Sequence, residues 1–521
     1  MLQKNTGLGL ICLLASILLF SGCTVGPDFT PLEPPAAKRF TEQQSPAATA
    51  GIATEASHGT AAHAQTFVPG LPPERWWEQL GNAEMTALVE RALAQSPDLA
   101  RARAVLKQAG EAWRAEAGEV WFPALDFDAS ATPQQVNMTQ MGSSDSFPAS
   151  MSSFSPDPYT LYTAKVSLRY TLDVLGQGRR RLEALGAQIA QKEYALEAAR
   201  LSLAGTVAVA AIRDAETREL IETVRTMLHV RRQQVAIAQA KAETGGASSI
   251  DVSTAKNDLA QLEATLPPLE RTLAANRHQL AILLGSPPAE AGLPEFSLED
   301  FSLPTRLPLV LPGEVVRSRP DVREAEALVH QATAEVGTAT ADLYPSITLV
   351  GSAGYSAARP IKDTPELFID HAGVWSMGAS LFQPLFRGGA LQARKRAKEA
   401  SAEEAHAAWR HVVLQAYADV ADCLSALETG ARTLTAAAEA ASEARTRYVL
   451  AQGRYALGAI SLADLLAAEL TYRQMAQEEI QARTNRFVHT LALLQATAAT
   501  PASDREQRLS LSSGMHRRDA M

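Results

Sequence analysis

Residues 159–203 read YTLYTAKVSLRYTLDVLGQGRRRLEALGAQIAQKEYALEAARLSL, and the residue period changes inside that stretch. Before Gly176 the apolar residues Tyr162, Ala164, Val166, Leu168 and Tyr170 alternate with Thr163, Lys165, Ser167 and Arg169. A period of two describes a strand with one apolar and one polar face. After Gly176-Gln177-Gly178, Leu182, Leu185, Ile189, Leu196, Ala199 and Leu203 recur at helical spacing. The helix signal runs free of proline from Arg179 to Thr244, 66 residues. At about 1.5 Å per residue such a helix is roughly 100 Å long. It cannot fold back into a compact domain and needs partner helices along its whole length.

The same transition occurs again downstream. Ile347, Leu349, Gly351, Ala353 and Tyr355 alternate with Thr348 and Ser352, and Trp375, Met377, Ala379 and Leu381 with Ser376, Gly378 and Ser380. Arg387-Gly388-Gly389 then opens a proline-free run of 68 residues, Ala390–Leu457. Upstream of the first transition, Leu125, Phe127, Ala129 and Ala131 alternate with Asp126, Asp128 and Ser130. Each half therefore carries two strands, four in all, with polar loops at about 133–158 and 357–372. Other signposts keep the same order. Pro97-Asp98-Leu99 returns as Pro320-Asp321-Val322 at an offset of 223, and Thr244-Gly245 with Ser248 and Asp251 returns as Leu457-Gly458 with Ser461 and Asp464 at an offset of 213. One structural unit is used twice.

Around the repeats the chain divides as follows. Residues 1–22 read as a lipoprotein signal peptide, and 23–82 as an extended, proline-rich start followed by a flexible insert at 41–70. Residues 83–285 form repeat one, beginning with a helix broken near Pro97 and ending in a return helix, about 250–284, interrupted by Pro267-Pro268. A Pro- and Leu-rich connector with a short packed element occupies 286–318. Repeat two spans 319–500, with its return helix at about 462–497, and a polar tail follows at 501–521.

The 521 residues are 46% hydrophobic but only 6% aromatic and rich in alanine, which favours closely packed helices over a globular enzyme core. A net charge of −9 argues against a nucleic-acid partner. The three cysteines, Cys12, Cys23 and Cys423, give no disulfide framework. Cys12 lies in an apolar run, Leu8 to Phe20, preceded by Lys4, and the run ends Leu19-Phe20-Ser21-Gly22-Cys23. This has the form of a bacterial lipobox, so Cys23 is the expected lipidation site; an ordinary cleaved signal or an uncleaved anchor are the competing readings. Thr24, in place of the Asp that retains lipoproteins in the inner membrane, directs it to the outer membrane. No other run of about twenty apolar residues is evident, so no spanning helix is expected downstream.

Four amphipathic strands cannot close a barrel, and open edges cannot stand in a bilayer. Either the strands form a small sheet packed on the helices, or several chains share one barrel. Three chains would supply twelve strands, within the range of outer-membrane barrels. Apolar strand faces would then meet lipid, with Asp126, Asp128, Lys165 and Arg169 toward water.

The signposts Cys23-Thr24-Val25-Gly26-Pro27-Asp28-Phe29, Trp76-Trp77, Ser96-Pro97-Asp98-Leu99, Arg319-Pro320-Asp321-Val322-Arg323, Tyr344-Pro345, Leu385-Phe386-Arg387-Gly388-Gly389 and Arg454-Tyr455 with Gly458, in this order, are specific together. The chain resembles the TolC-type outer-membrane factors of tripartite efflux pumps, in their lipoprotein branch. The resemblance implies a mainly α chain with a small β part and two internal repeats. It implies a homotrimer with a 12-stranded transmembrane β-barrel, four strands per chain, continuous with a long periplasmic α-helical barrel. A periplasmic adaptor and an inner-membrane transporter are the implied partners. Two features depart from the family: the insert at 41–70 is long, and Ala467 stands where an acidic residue is common three positions after Asp464.

Candidate site residues follow. Gly245 and Gly458 end the long helices, and Ser248 and Ser461 can cap the returns, so these turns are plain helical hairpins that the resemblance makes the adaptor-docking periplasmic mouth. Asp251 and Asp464 stand in the first turn after each tip, where a helix-dipole role competes with a pore-lining one. With Arg454 and Tyr455 they are the pore-gate candidates. Arg179, Arg180 and Arg181, and Arg394, Lys395 and Arg396, open the long helices, where the dipole disfavours cations. They either pair with Glu183 and Glu399 or meet lipid phosphates.

No metal spacing, phosphate loop or nucleophile motif appears, so neither a cofactor nor an enzymatic activity is expected. His406 and His411 are five apart rather than four, and Cys423 reads as an inert thiol. The expected function is a passive outer-membrane exit duct for drugs or other small molecules. A type I protein or peptide secretion conduit and a non-channel coiled-coil structural lipoprotein are the alternatives, and the paired strand hairpins speak against the last.

Overall fold

A computed structural model describes residues 24–35, 37, 39–41, 48–49, 64–135, 158–360 and 373–498. The signal peptide, Cys23, most of both strand loops and the polar tail therefore lie outside the described residues.

In chain order the elements are β1 (Thr66–Pro69), a 3-10 turn (Trp76–Leu80), α1 (Ala83–Gln95), α2 (Pro97–Trp121), β2 (Ala124–Gln134), β3 (Tyr159–Leu172), α3 (Gln177–Glu243), α4 (Ser249–Glu263) and α5 (Leu266–Leu283). A 3-10 turn (Leu298–Asp300), β4 (Arg306–Leu309) and α6 (Pro312–Ser318) follow. The second repeat supplies α7 (Pro320–Ala341), β5 (Ser346–Pro360), β6 (Gly373–Phe382), α8 (Ala390–Ala456) and α9 (Leu462–Thr497). Both long helices have 67 residues.

The chain separates into two units, each drawing on both repeats. The first holds residues up to Pro31, Gln108–Ile189 and Ala327–His406. It contains one antiparallel sheet in the order β2-β3-β5-β6, so the repeats join at β3–β5 and leave β2 and β6 as edges. The second unit is helical, with one parallel strand pair, β1–β4. Its core gathers Trp76, Leu80, Met85, Leu99, Ile212, Leu280, Leu307 and Phe487, all essentially buried. Each such side chain contributes about 1.5–3 kcal/mol relative to exposure. Along α8 the buried residues Trp409, Val413, Ala416, Val420, Leu427, Ala431 and Leu434 form a single stripe at spacings of three, four and seven.

Three expectations are corrected. The insert at 41–70 does not end as a flexible segment: β1 lies in it, with buried Thr49 and Gln65 beside it. Gln65 donates its backbone N–H to Thr49 Oγ1 (3.0 Å) and its side-chain amide to Thr490 (3.3 Å), and Arg486 donates to Thr49 (2.8 Å). A four-residue strand whose partner is more than two hundred residues away leaves no local periodicity to read. Second, the return helix of repeat one breaks at Ala264-Thr265, before the prolines; Pro267 and Pro268 sit in the first turn of α5, where a missing N–H costs least. Third, one window of α3 does have the length and composition of a membrane span. Half of it is buried, as in a core helix.

Candidate functional site

The two hairpin tips, both in the helical unit, are built alike. At the end of α3, Gly246 N–H donates to Lys241 O (2.7 Å) and Gly245 N–H to Ala242 O (3.1 Å). At the end of α8, Ala459 N–H donates to Arg454 O (2.8 Å) and Gly458 N–H to Tyr455 O (2.9 Å). This paired closure needs a left-handed residue, and Gly245 and Gly458 have φ of 78° and 71°. Arg454 and Tyr455 thus supply the carbonyls that end α8. Their side chains are exposed.

Each turn then opens its return helix with the same reciprocal cap. Ser248 Oγ accepts from Asp251 N–H (3.2 Å) while Asp251 accepts from Ser248 N–H (2.8 Å). Ser461 Oγ accepts from Asp464 N–H (3.2 Å), and Asp464 accepts from Ser461 N–H (3.1 Å) and from its hydroxyl (2.6 Å). These bonds hold both carboxyls below the ordinary aspartate value. The backbone N–H of Ser248 acts most strongly on Asp251, and the hydroxyl of Ser461 on Asp464, with Lys241 and Arg454 adding positive charge near the latter. Behind the tips, Met227, Val230, Leu466 and Leu470 pack together, and Tyr448 stacks on Tyr472 at 5.9 Å. At the tips themselves two large apolar side chains stand out, Ile250 at 73% exposure and Leu457 at 86%.

In the other unit, strand register sorts the sheet into two faces. One row runs Leu125–Leu168–Gly351–Met377, and the next row, on the opposite face, Asp126–Ser167–Ser352–Ser376. The apolar face continues through Phe127, Val166, Ala353 and Trp375, with Trp375 79% and Met377 85% exposed. The polar face carries Asp128 opposite Lys165, a Ser167–Asp128 hydrogen bond (3.3 Å) and a Ser352–Ser376 hydrogen bond (2.9 Å). Its charges come from the first hairpin; the second presents the small Ser352, Gly354, Ser376 and Gly378, with an exposed Val350 among them.

The basic clusters separate into different roles. Arg180 is buried, its side chain 4% exposed, and pairs with Asp28 (2.5 Å) and Glu183 (2.7 Å). That burial removes it from any lipid-facing set. Arg179 pairs with Asp173 (3.3 Å), Arg181 with Glu116 (2.8 Å) and Lys395 with Glu399 (3.4 Å). Arg394 and Arg396 are exposed. Sequence reasoning missed what Arg180 holds, the segment carrying Asp28 and Phe29, although a cation in the first turn of a helix was a signal that a carboxylate lay close by. Cys423 is half-buried; burial first, then Asp419 and Asp422, push its thiol up to about 11. Among the described residues no group of three or more His, Cys, Asp or Glu side chains could hold a metal ion.

A two-faced, open-edged sheet and long paired helices define the subunit of an outer-membrane channel. The family model for outer membrane efflux proteins matches residues 88–286 and 311–499. The chain belongs to the outer membrane efflux protein family. It is 27% identical over 453 residues to the pyoverdine export outer membrane protein OpmQ of Pseudomonas putida, covering 86% of this chain and 92% of that protein. It is 26% identical over 495 residues to the toluene efflux pump outer membrane protein TtgC of Pseudomonas putida, covering 94% of each. Among solved structures it superposes on the outer-membrane channel OprN with a TM-score of 0.74 at 26% identity, covering 92% of this chain and 99% of that one. On the outer membrane protein VceC of Vibrio cholerae the TM-score is 0.70 at 27% identity, covering 82% of this chain and 99% of that one. The fold is that of the trimeric TolC-type outer-membrane channels: mainly helical, with a small sheet part and two repeats. The protein is a passive efflux channel of the outer membrane, extending into the periplasm, and not an enzyme.

Proposed function

We propose that the protein is the exit duct of a tripartite pump for small organic molecules, working as a homotrimer whose hairpin tips dock a periplasmic adaptor that links it to an inner-membrane transporter. The observation that carries this reading is the sheet. Four strands share one apolar face and one polar face, and β2 and β6 are unpaired on their outer sides. Edges of that kind are tolerated in a bilayer only when other strands complete them, and three copies complete a twelve-stranded barrel. The relatives are named for pyoverdine export and toluene efflux, which supports small organic cargo. Cys23 is the lipid anchor in this reading, and outer-membrane lipid surrounds the sheet; Arg394 and Arg396 remain the candidates for its phosphates.

The tips supply the docking test. A side chain at Gly458 would meet nothing within 4 Å in the isolated chain, so only its left-handed backbone resists substitution. Gly458→Trp should leave trimer assembly and membrane insertion intact but abolish efflux in a drug-accumulation assay. Gly458→Asn, which tolerates that backbone, should retain more activity. Normal efflux by Gly458→Trp would remove the tips from the docking role. Three copies of Asp464 around the mouth form the proposed gate with Asp251, Arg454 and Tyr455.

A further inference from the structure

We propose that residues 24–29 form a clasp that ties the first repeat to the second at the foot of the sheet, so that the anchor-bearing segment is part of the channel fold and not a tether. The clasp begins at the turn between β3 and α3, where Val25 N–H donates to Leu175 O (3.1 Å). Arg180, in the first turn of α3, then holds the segment along its length. Its guanidinium donates to Val25 O (3.3 Å) and to the Asp28 carboxylate (2.5 Å), while its other arm meets Glu183 (2.7 Å). Those are contacts to repeat one.

The contacts to repeat two lie on α7. Phe29 stacks on the His330 ring with centroids 4.3 Å apart and planes at 15°. His330 Nε2 in turn hydrogen-bonds Glu183 (3.0 Å), so a single carboxylate joins Arg180 to His330. Gly26, at φ 95°, passes so close to α7 that a Cβ there would lie 2.5 Å from Gly337 Cα, and a Cβ on Gly337 would lie 2.8 Å from the Arg180 side chain. Backbone from the segment, backbone from α7 and the stem of Arg180 are interlocked. A buried guanidinium with two carboxylates is costly to leave half-paired, so removing the segment should destabilise both repeats at once. The cation in the first turn of α3, which the helix dipole disfavours, is explained by this pairing.

The test is a double-mutant cycle on the full-length protein in detergent, read as the thermal unfolding midpoint. Phe29→Ala and His330→Ala should each lower the midpoint by roughly 2–4 °C, and the double variant should fall no further than the worse single, because both remove the same contact. Asp28→Asn with Arg180→Lys forms a second cycle with the same expectation. Both cycles should keep their coupling in a Cys23→Ser background, where no acyl chain is attached. The proposal is overturned if Phe29→Ala leaves the midpoint unchanged, if the paired substitutions are additive, or if the coupling vanishes with Cys23→Ser, which would assign the segment's position to the acyl chain alone.

Discussion

Glu183 accepts from both His330 (3.0 Å) and Arg180 (2.7 Å), and it shows how much one side chain does here. The His330 hydrogen bond lowers its pKa most; burial opposes, and the Arg180 bond and charge reinforce the lowering. A carboxylate with a depressed folded-state pKa gives stability that is fully present above its unfolded value, 4.5, and is lost as pH falls through the folded one. Wild type should therefore lose thermal stability below about pH 4.5 by more than Glu183→Gln does, and the two melting-versus-pH curves should converge in acid. Parallel curves would mean that folding leaves the Glu183 pKa unchanged, so that His330 and Arg180 do not favour its ionised form. Cys23, which precedes the clasp in sequence, lies outside the described residues, and its lipidation rests on Ser21-Gly22-Cys23. Mass spectrometry of membrane-extracted protein should find an acylated N-terminal peptide beginning at Cys23; an unmodified Cys23 inside a longer peptide would contradict the assignment.

Among the elements, the strands and long helices were legible because their signals are repeated many times. Tyr162–Leu172 alternates without a break, and α8 keeps its buried stripe for several turns, so the exceptions at Tyr159, Thr160 and Leu161 do not erase the pattern. Strand β1 was not legible, because Thr66–Pro69 has one partner strand, Arg306–Leu309, brought to it only by the folded chain. The tips were legible as helical hairpins from Gly245 and Gly458 with Ser248 and Ser461 as caps, since those signals act locally; the return bonds from Asp251 and Asp464 that complete each cap were not read. The docking and gating roles proposed for them are not legible at this scale, because they would depend on other chains. The sheet makes a direct prediction. Leu168 and Met377 share one row of the apolar face, and Ser167 lies on the other. Leu168→Arg or Met377→Arg should cost roughly 2–4 kcal/mol if near the bilayer midplane, read as lost insertion into liposomes, whereas Ser167→Ala should be mild. Equal tolerance on both faces would mean the sheet does not meet lipid.

At the scale of the whole molecule, two repeats each give one strand hairpin and one long helical hairpin, and the sheet mixes them at β3–β5. The repeat offsets in the sequence anticipated the two hairpins of each repeat, but neither the β3–β5 join nor that each spatial unit would take segments from both repeats, since chain order says nothing of which segments meet. The sheet's edges carry the central claim. An apolar face spanning four strands with both edges open is unfinished as a single chain, and completion by two further copies is what makes it a duct. Native mass spectrometry of the detergent-extracted protein tests this most directly. The account predicts a species of three chains, with no stable single chain; a monomer that keeps its full strand content would contradict it.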